Sequence, residues 1–146
     1  VGVDGVLMVD MPPEEAQDLK KELDYVGIDM IFLVAPTTTE ERLQQIARIA
    51  SGYIYYVSLK GVTGAANLDV ESVNYHLSRM RNYIDLPVGV GFGIKDAETA
   101  KKISKTADAV IVGSTIVSII EQFSSDRDKM IKKVGNLAFK ISNAIN

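Results

Sequence analysis

The stretch VGVGFGI, residues 88–94, places glycine at three alternate positions of a segment that otherwise has the composition of a buried strand. Glycine inside a strand adds no side chain to the core and loses the most conformational freedom on folding. Gly89, Gly91 and Gly93 therefore indicate either a place where a ligand meets the backbone, or a tight turn with close packing and no ligand.

Apolar runs alternate with helical patterns on both sides of this stretch. The runs are nearly continuous rather than alternating, which is typical of parallel strands covered on both faces by crossover helices. The predicted order is βαβαβαβαβαα. We predict strands over residues 3–9, 30–34, 53–58, 87–90 and 107–112, and helices over 14–26, 37–50, 69–83, 96–105 and 115–122 and from 127 to the end.

The predicted helices carry recognisable start signals. A Thr at 37–39 followed by Glu40 and Glu41 suggests a capping box, and Asp69 and Asp96 are placed to cap the next two helices. The last helix has an apolar stripe that we expect to be core. We interpret His76, inside a helix, as a surface or interface residue without a partner. The stripe comprises Met130, Ile131, Val134, Leu137, Ala138, Ile141 and Ile145.

Composition limits the classes of function. The 146 residues carry a net charge of −3 and no basic block, which argues against nucleic acid and anionic membranes as partners. The chain has no cysteine, which fits a reducing cytoplasm and excludes disulfides and thiolate chemistry. No apolar run is long enough to span a bilayer, and no signal peptide is visible.

Two parallel-sheet architectures compete, a doubly wound open sheet and a (β/α)₈ barrel. A doubly wound nucleotide fold has its glycine loop after the first strand, but here the first βα turn is DMPPEE. The glycines gather after the last two strands, and Gly113-Ser114 opens a short extra helix. Barrels often bind phosphate with the loops after strands 7 and 8 and the start of such a helix. The sequence therefore favours a barrel with a phosphate site.

A complete barrel needs about 250 residues, which leaves about 100 residues for three further βα units. We expect residues 1–146 to be a single partial barrel domain, namely the last five βα units. Such a piece has two open sheet edges. It should pair with the missing first part of the barrel, pair with a copy of itself, or aggregate.

Four motifs resemble, in order and spacing, the alpha chain of tryptophan synthase. They are GVDGVLMVDMPPEE, GYIYYVSLKGVTGA, VGVGFGI and VIVGSTIV, and the resemblance covers nearly the whole chain. It implies a lyase of tryptophan biosynthesis that splits indole-3-glycerol phosphate into indole and glyceraldehyde 3-phosphate. It further implies no cofactor or metal in this chain, and a pyridoxal-phosphate beta chain as partner.

The resemblance also implies roles for individual residues. Thr63 would lie on a mobile loop that closes over the substrate, and Asp10 and Pro12 near the contact with the beta chain. The two catalytic carboxylates of the family belong to earlier strands, so none is expected here. A basic residue that some members carry after the loop Ser is replaced by Leu59, with Lys60 next. The residues expected to hold the substrate are Gly64, Gly93, Gly113 and Ser114 for the phosphate, and Tyr55 and Phe92 for the indole-glycerol end.

Breaking a carbon–carbon bond of this substrate needs one proton delivered and one removed, which suits paired carboxylates. Asp10 is the only acid that ends a predicted strand, but an Asp before two prolines is more often a turn residue. Three hypotheses stay open: part of an alpha-chain lyase, a phosphate- or partner-binding barrel fragment without turnover, or a different phosphate-binding barrel enzyme. The GVTG loop argues against the third. We predict no lyase turnover from these 146 residues alone.

Overall fold

The computed structural model describes residues 2–58, 69–91 and 93–146. Within these ranges it contains five strands, all parallel, and each pairs with the next strand in the chain. The strands are β1 (Gly5–Met8), β2 (Asp29–Val34), β3 (Ile54–Val57), β4 (Val88–Gly91) and β5 (Ala109–Ile111).

Helices follow every strand in the described ranges, which confirms the predicted order. They are α1 (Gln17–Tyr25), α2 (Glu40–Ile49), α3 (Val70–Met80), α4 (Ala97–Ile103), α5 (Ser114–Gln122) and α6 (Arg127–Ile145), with a 3-10 turn (Pro13–Glu15) before α1.

The spatial order of the strands distinguishes the two architectures. A doubly wound sheet reverses direction, so later strands lie on both sides of the first. Here the order is β1-β2-β3-β4-β5 without reversal, as in consecutive units of a (β/α)₈ barrel. The barrel prediction is confirmed, and the carboxyl ends of β4 and β5 lie side by side.

The sheet has two different faces. One packs under the helices and carries fully buried side chains, among them Met30, Ile54 and Val88, which together with Ile141 of α6 belong to one apolar cluster. The register places Tyr55 beside Gly89, and Gly91 between Val57 and Ile111, on the opposite face. The candidate site is built on this second face.

Four sequence predictions need correction, and the first two concern the starts of α1 and α2. The helix predicted over 14–26 is broken, because the chain makes a 3-10 turn at Pro13–Glu15 before α1. Thr39 caps α2 by accepting a hydrogen bond from the Arg42 amide, but the capping box with Glu40 and Glu41 is absent since the third helical position is Arg42. Asp69 and Asp96 cap α3 and α4 as predicted.

The apolar stripe of α6 is only partly core. Ile141 is buried, whereas Ile131 is 56% exposed and Ile145 36% exposed. The cause is that α6 packs on α4 and α5 and leaves its remaining apolar side uncovered.

His76 is also not the unpartnered surface residue that the sequence suggested. Its ring stacks on Tyr56 of β3 at a centroid distance of 6.4 Å and meets the edge of Tyr75 at 5.4 Å. Helical spacing alone does not show that this position faces an aromatic side chain of the sheet.

Candidate functional site

A small pocket lies where β4 and β5 end and α5 begins. Its volume is about 100 Å³, several times the share of one water in the liquid, about 30 Å³. The pocket brings together four residues that the sequence predicted, along with two that it did not. Among the residues that the structure describes, its lining consists of Tyr55, Gly93, Ile94, Ile111, Gly113 and Ser114.

Gly93 has a backbone conformation that favours glycine. Its φ is +79°, in the left-handed region that L side chains rarely adopt. This turn lets the chain leave β4 and pass along the pocket before Asp96 caps α4. The cap is formed by the Asp96 carboxylate, which accepts a hydrogen bond of 2.8 Å from the Thr99 amide and whose pKa is lowered by that bond.

The start of α5 differs from the starts of most other helices. The N-cap residues of α2, α3, α4 and α6 each use a side chain to accept a backbone N–H of the first turn. The N-cap residue of α5 is Gly113, which has no side chain, and its carbonyl accepts from the Val117 amide at 3.0 Å. The first amides of α5 are therefore open to an external acceptor on the pocket side, where the helix dipole also favours an anion.

Tyr55 closes the pocket from β3. Its ring is half-buried, and burial together with the neighbouring Tyr53 raises the pKa of its phenol, so it is a neutral hydroxyl at physiological pH. Such a hydroxyl can donate a hydrogen bond to a ligand oxygen or accept one. Ile94 and Ile111 supply the apolar part of the lining.

The structure does not bring Asp10 and Pro12 to this pocket. Both follow β1, at the far edge of the sheet from β5, with three strands between. Asp10 is exposed, and the Pro12 carbonyl accepts from the Glu15 amide in the 3-10 turn, which fits the turn interpretation. Thr63, Gly64 and Phe92 lie outside the described residues, so their predicted roles stay predictions.

Sequence reasoning missed Ile94, Ile111 and Ser58. Ile111 gave no signal in the sequence, because its place beside Gly91 follows from the register of β4 and β5, which only the structure shows. Ser58 is a polar residue at a strand end, and its Oγ donates to the Gly91 carbonyl at 2.9 Å.

Among the described residues, no group of three or more His, Cys, Asp or Glu is arranged to hold a metal ion. None of their helices is both long and apolar enough for a membrane span.

Comparison with known proteins places this geometry in a family. The family described as tryptophan synthase alpha chain matches residues 1–146. Tryptophan synthase alpha chains from Ruthia magnifica and Vesicomyosocius okutanii are each 64% identical to this chain, over 98% and 99% of its length and 54% of theirs. The chain thus spans about half the length of the curated relatives it matches.

Solved structures give the same result. Tryptophan synthase subunit alpha from Legionella pneumophila is 33% identical with a TM-score of 0.84, covering 99% of this chain and 52% of the other. A chain of the tryptophan synthase α₂β₂ complex from Pyrococcus furiosus is 32% identical with a TM-score of 0.82, covering 97% of this chain and 56% of the other. Fold, motifs and sequence identity agree, and the chain belongs to the tryptophan synthase alpha chain family.

Proposed function

We propose that residues 1–146 supply the phosphate-binding half of an alpha chain that cleaves indole-3-glycerol phosphate into indole and glyceraldehyde 3-phosphate. The observation that carries this proposal is the meeting of two backbone features in one pocket. The positive-φ turn at Gly93 and the start of α5 at Gly113 and Ser114, where no side chain of the N-cap residue accepts a backbone amide, line the same pocket. Backbone amides at a helix start suit a phosphate dianion.

Tyr55, Ile94 and Ile111 favour an apolar group next to the phosphate. They form the rest of the lining, with one neutral hydroxyl and two aliphatic side chains. A phosphorylated substrate with an aromatic ring matches this combination better than a fully polar sugar phosphate does. Phe92 and Gly64 are predicted to add to the same site.

The described pocket contains no carboxylate, although the cleavage needs proton transfer at two positions. We therefore propose that the catalytic acids belong to the half of the barrel that precedes this segment. Residues 1–146 alone should bind phosphate but should not cleave indole-3-glycerol phosphate. This is the hypothesis of a phosphate-binding barrel fragment without turnover.

The experiment compares two proteins. One is residues 1–146 alone, and the other is a chain of full family length, made by placing the first half of a relative before residue 1. Only the full-length chain should release indole from indole-3-glycerol phosphate, and it should bind inorganic phosphate in competition with the substrate. Steady indole release by residues 1–146 alone would contradict the division of roles, and a full-length chain without phosphate binding would contradict the assignment of the pocket.

The beta chain is the proposed protein partner. The Pyrococcus furiosus relative belongs to an α₂β₂ complex, and Asp10, which the resemblance places near the beta-chain contact together with Pro12, is exposed after β1. Replacing Asp10 with Lys in the full-length chain should weaken beta-chain binding in sedimentation experiments. Unchanged binding would remove Asp10 from this interface. A cytoplasmic location of the protein stays a prediction from the sequence.

A further inference from the structure

Ser58 connects the end of β3 to the end of β4 through a single acceptor. Its Oγ donates to the Gly91 carbonyl at 2.9 Å, and its backbone amide donates to the same carbonyl at 3.3 Å. The first of these bonds depends on the side chain, so it is specific to a hydroxyl-bearing residue at this position.

The orientation of the Gly91 carbonyl affects the backbone next to the pocket. Gly91 is the last residue of β4, and Gly93, which lines the pocket, lies only two residues further along the chain. Because a peptide unit is planar, holding this carbonyl fixes the orientation of the peptide unit at the end of β4. Gly91 has no side chain of its own to restrict that orientation.

We propose that Ser58 is a positioning residue for the phosphate pocket, acting through the Gly91 carbonyl on the turn at Gly93. The inference rests on the proposed function, because it assigns Ser58 to the same pocket. Ser58 does not line that pocket itself. Its hydroxyl orients the backbone that presents Gly93, so that less ordering is needed when an anion binds.

The chain contains a matched serine at the opposite end of the sheet. Ser51 precedes β3, accepts at Oγ from the Met30 amide at 2.9 Å, and donates its own amide to the Met30 carbonyl at 2.9 Å. Both serines are partly buried and tie neighbouring strands together, but Ser51 lies at the amino end of β3, away from the pocket. Replacing Ser51 therefore controls for the general loss of one hydrogen bond.

The experiment uses the full-length chain with Ser58→Ala, Ser58→Thr and Ser51→Ala. Titration calorimetry with inorganic phosphate should show affinity about two- to tenfold weaker for Ser58→Ala, the effect of one neutral hydrogen bond. Ser58→Thr keeps the hydroxyl and should restore affinity, and Ser51→Ala should leave it unchanged. Without phosphate, the amide resonance of Gly93 should shift in Ser58→Ala but not in Ser51→Ala.

The outcomes separate this inference from the proposed function. If the unsubstituted chain binds no phosphate, the proposed function fails, and the Gly93 resonance alone decides whether Ser58 positions the turn. An unmoved Gly93 resonance in Ser58→Ala overturns the inference whatever the affinity. Equal loss of phosphate affinity in Ser51→Ala and Ser58→Ala also overturns it, because that result describes general destabilisation.

Discussion

The ring of Tyr55 on β3 lies across Gly91 of β4 and occupies the space that a side chain at Gly91 would need. A Cβ built on Gly91 would lie 2.6 Å from Tyr55 Cε1. At Gly89 a Cβ would lie 3.4 Å from Tyr53 Cδ2 and 3.1 Å from Ile111 Cδ1. The alternate glycines therefore make room for tyrosine rings on one face of the sheet.

The first prediction concerns this contact. Gly91→Ala should lower the free energy of unfolding of the full-length chain by about 1–3 kcal/mol, the usual cost of overpacking. The atoms in the way belong to an aromatic ring, which cannot bend aside as the end of a flexible chain can. Combining Gly91→Ala with Tyr55→Leu should recover part of this loss, and urea denaturation of the two single variants and the double variant measures the coupling.

Gly135→Ala is the matched control for that prediction. Gly135 lies within α6, and nothing is within 4 Å of the position its Cβ would take. Alanine should stabilise the helix there by about 0.5–1 kcal/mol. If Gly91→Ala were also neutral or stabilising, ring packing would not be the reason for glycine at position 91.

Asp96 provides a second prediction, on the cap next to the glycine turn. Asp96→Ala should cost about 0.5–2 kcal/mol of stability at neutral pH, because the Thr99 amide loses its acceptor. The hydrogen bond from Thr99 lowers the pKa of the Asp96 carboxyl in the folded chain below its unfolded value. The ionic part of this stabilisation is therefore complete above about pH 4 and is lost as the pH falls through the folded pKa.

Asp96→Asn distinguishes the cap from the charge. Asparagine accepts the same hydrogen bond without ionising, so its stability relative to Asp96→Ala should not vary with pH. Denaturant titrations from pH 3 to pH 7 measure the free energy of unfolding of the unsubstituted chain, Asp96→Asn and Asp96→Ala. Loss of the same size in Asp96→Ala at pH 3 and pH 7 would show that ionisation contributes nothing at this cap.

The sequence was sufficient to predict the fold because its local signals agree with one another. Continuous apolar strands, caps at Asp69 and Asp96, and a first βα turn without glycine, with Gly93 and Gly113 after the last two strands, all indicate a parallel barrel segment. The predictions that were wrong concern features that tertiary contacts determine. The break at Pro13–Glu15 and the exposure of Ile131 depend on neighbouring elements, which periodicity within one helix does not report.

The candidate site was predictable only in part. Gly93, Gly113 and Ser114 could be found because backbone recognition of phosphate requires small residues at helix starts. The contact of the Tyr55 side chain with Gly91, and the hydrogen bond from Ser58 to the Gly91 carbonyl, both depend on strand register. That register joins residues more than thirty positions apart, and no spacing rule within a single strand reveals it.

Gly113 provides a third prediction, on charge at the start of α5. A side chain fits there, since nothing is within 4 Å of the position its Cβ would take and φ is −111°. Gly113→Asp should cap α5 with its own carboxylate and place a negative charge beside the pocket. Phosphate affinity of the full-length chain should then fall at least about tenfold, about 1.4 kcal/mol.

Gly135→Asp makes the same charge change on α6 and should leave phosphate affinity unchanged. Calorimetric titration with inorganic phosphate gives both values. An unchanged phosphate affinity in Gly113→Asp would show that phosphate does not bind at the start of α5.

Tyr56 gives the last prediction, on the helix-covered face of the sheet. Its side chain is 1% exposed, and its hydroxyl has no hydrogen-bond partner among the residues that the structure describes. Burial raises the pKa of Tyr56 to about 12. Above about pH 10 the unfolded chain loses the phenolic proton while the folded chain keeps it, so stability should fall between pH 10 and pH 12 by up to about 3 kcal/mol.

Tyr56→Phe should remove this alkaline loss. At pH 7 it should change the free energy of unfolding by less than about 1 kcal/mol, because an unbonded buried hydroxyl contributes little. The difference from the unsubstituted chain should then grow in favour of Phe as the pH rises above 10. Tyr25→Phe is the control, since Tyr25 is 89% exposed and its hydroxyl meets solvent in both states. A loss well above 1 kcal/mol for Tyr56→Phe at pH 7 would mean that the Tyr56 hydroxyl is hydrogen-bonded in the folded chain. Stability that stays constant between pH 10 and pH 12 would contradict the alkaline prediction.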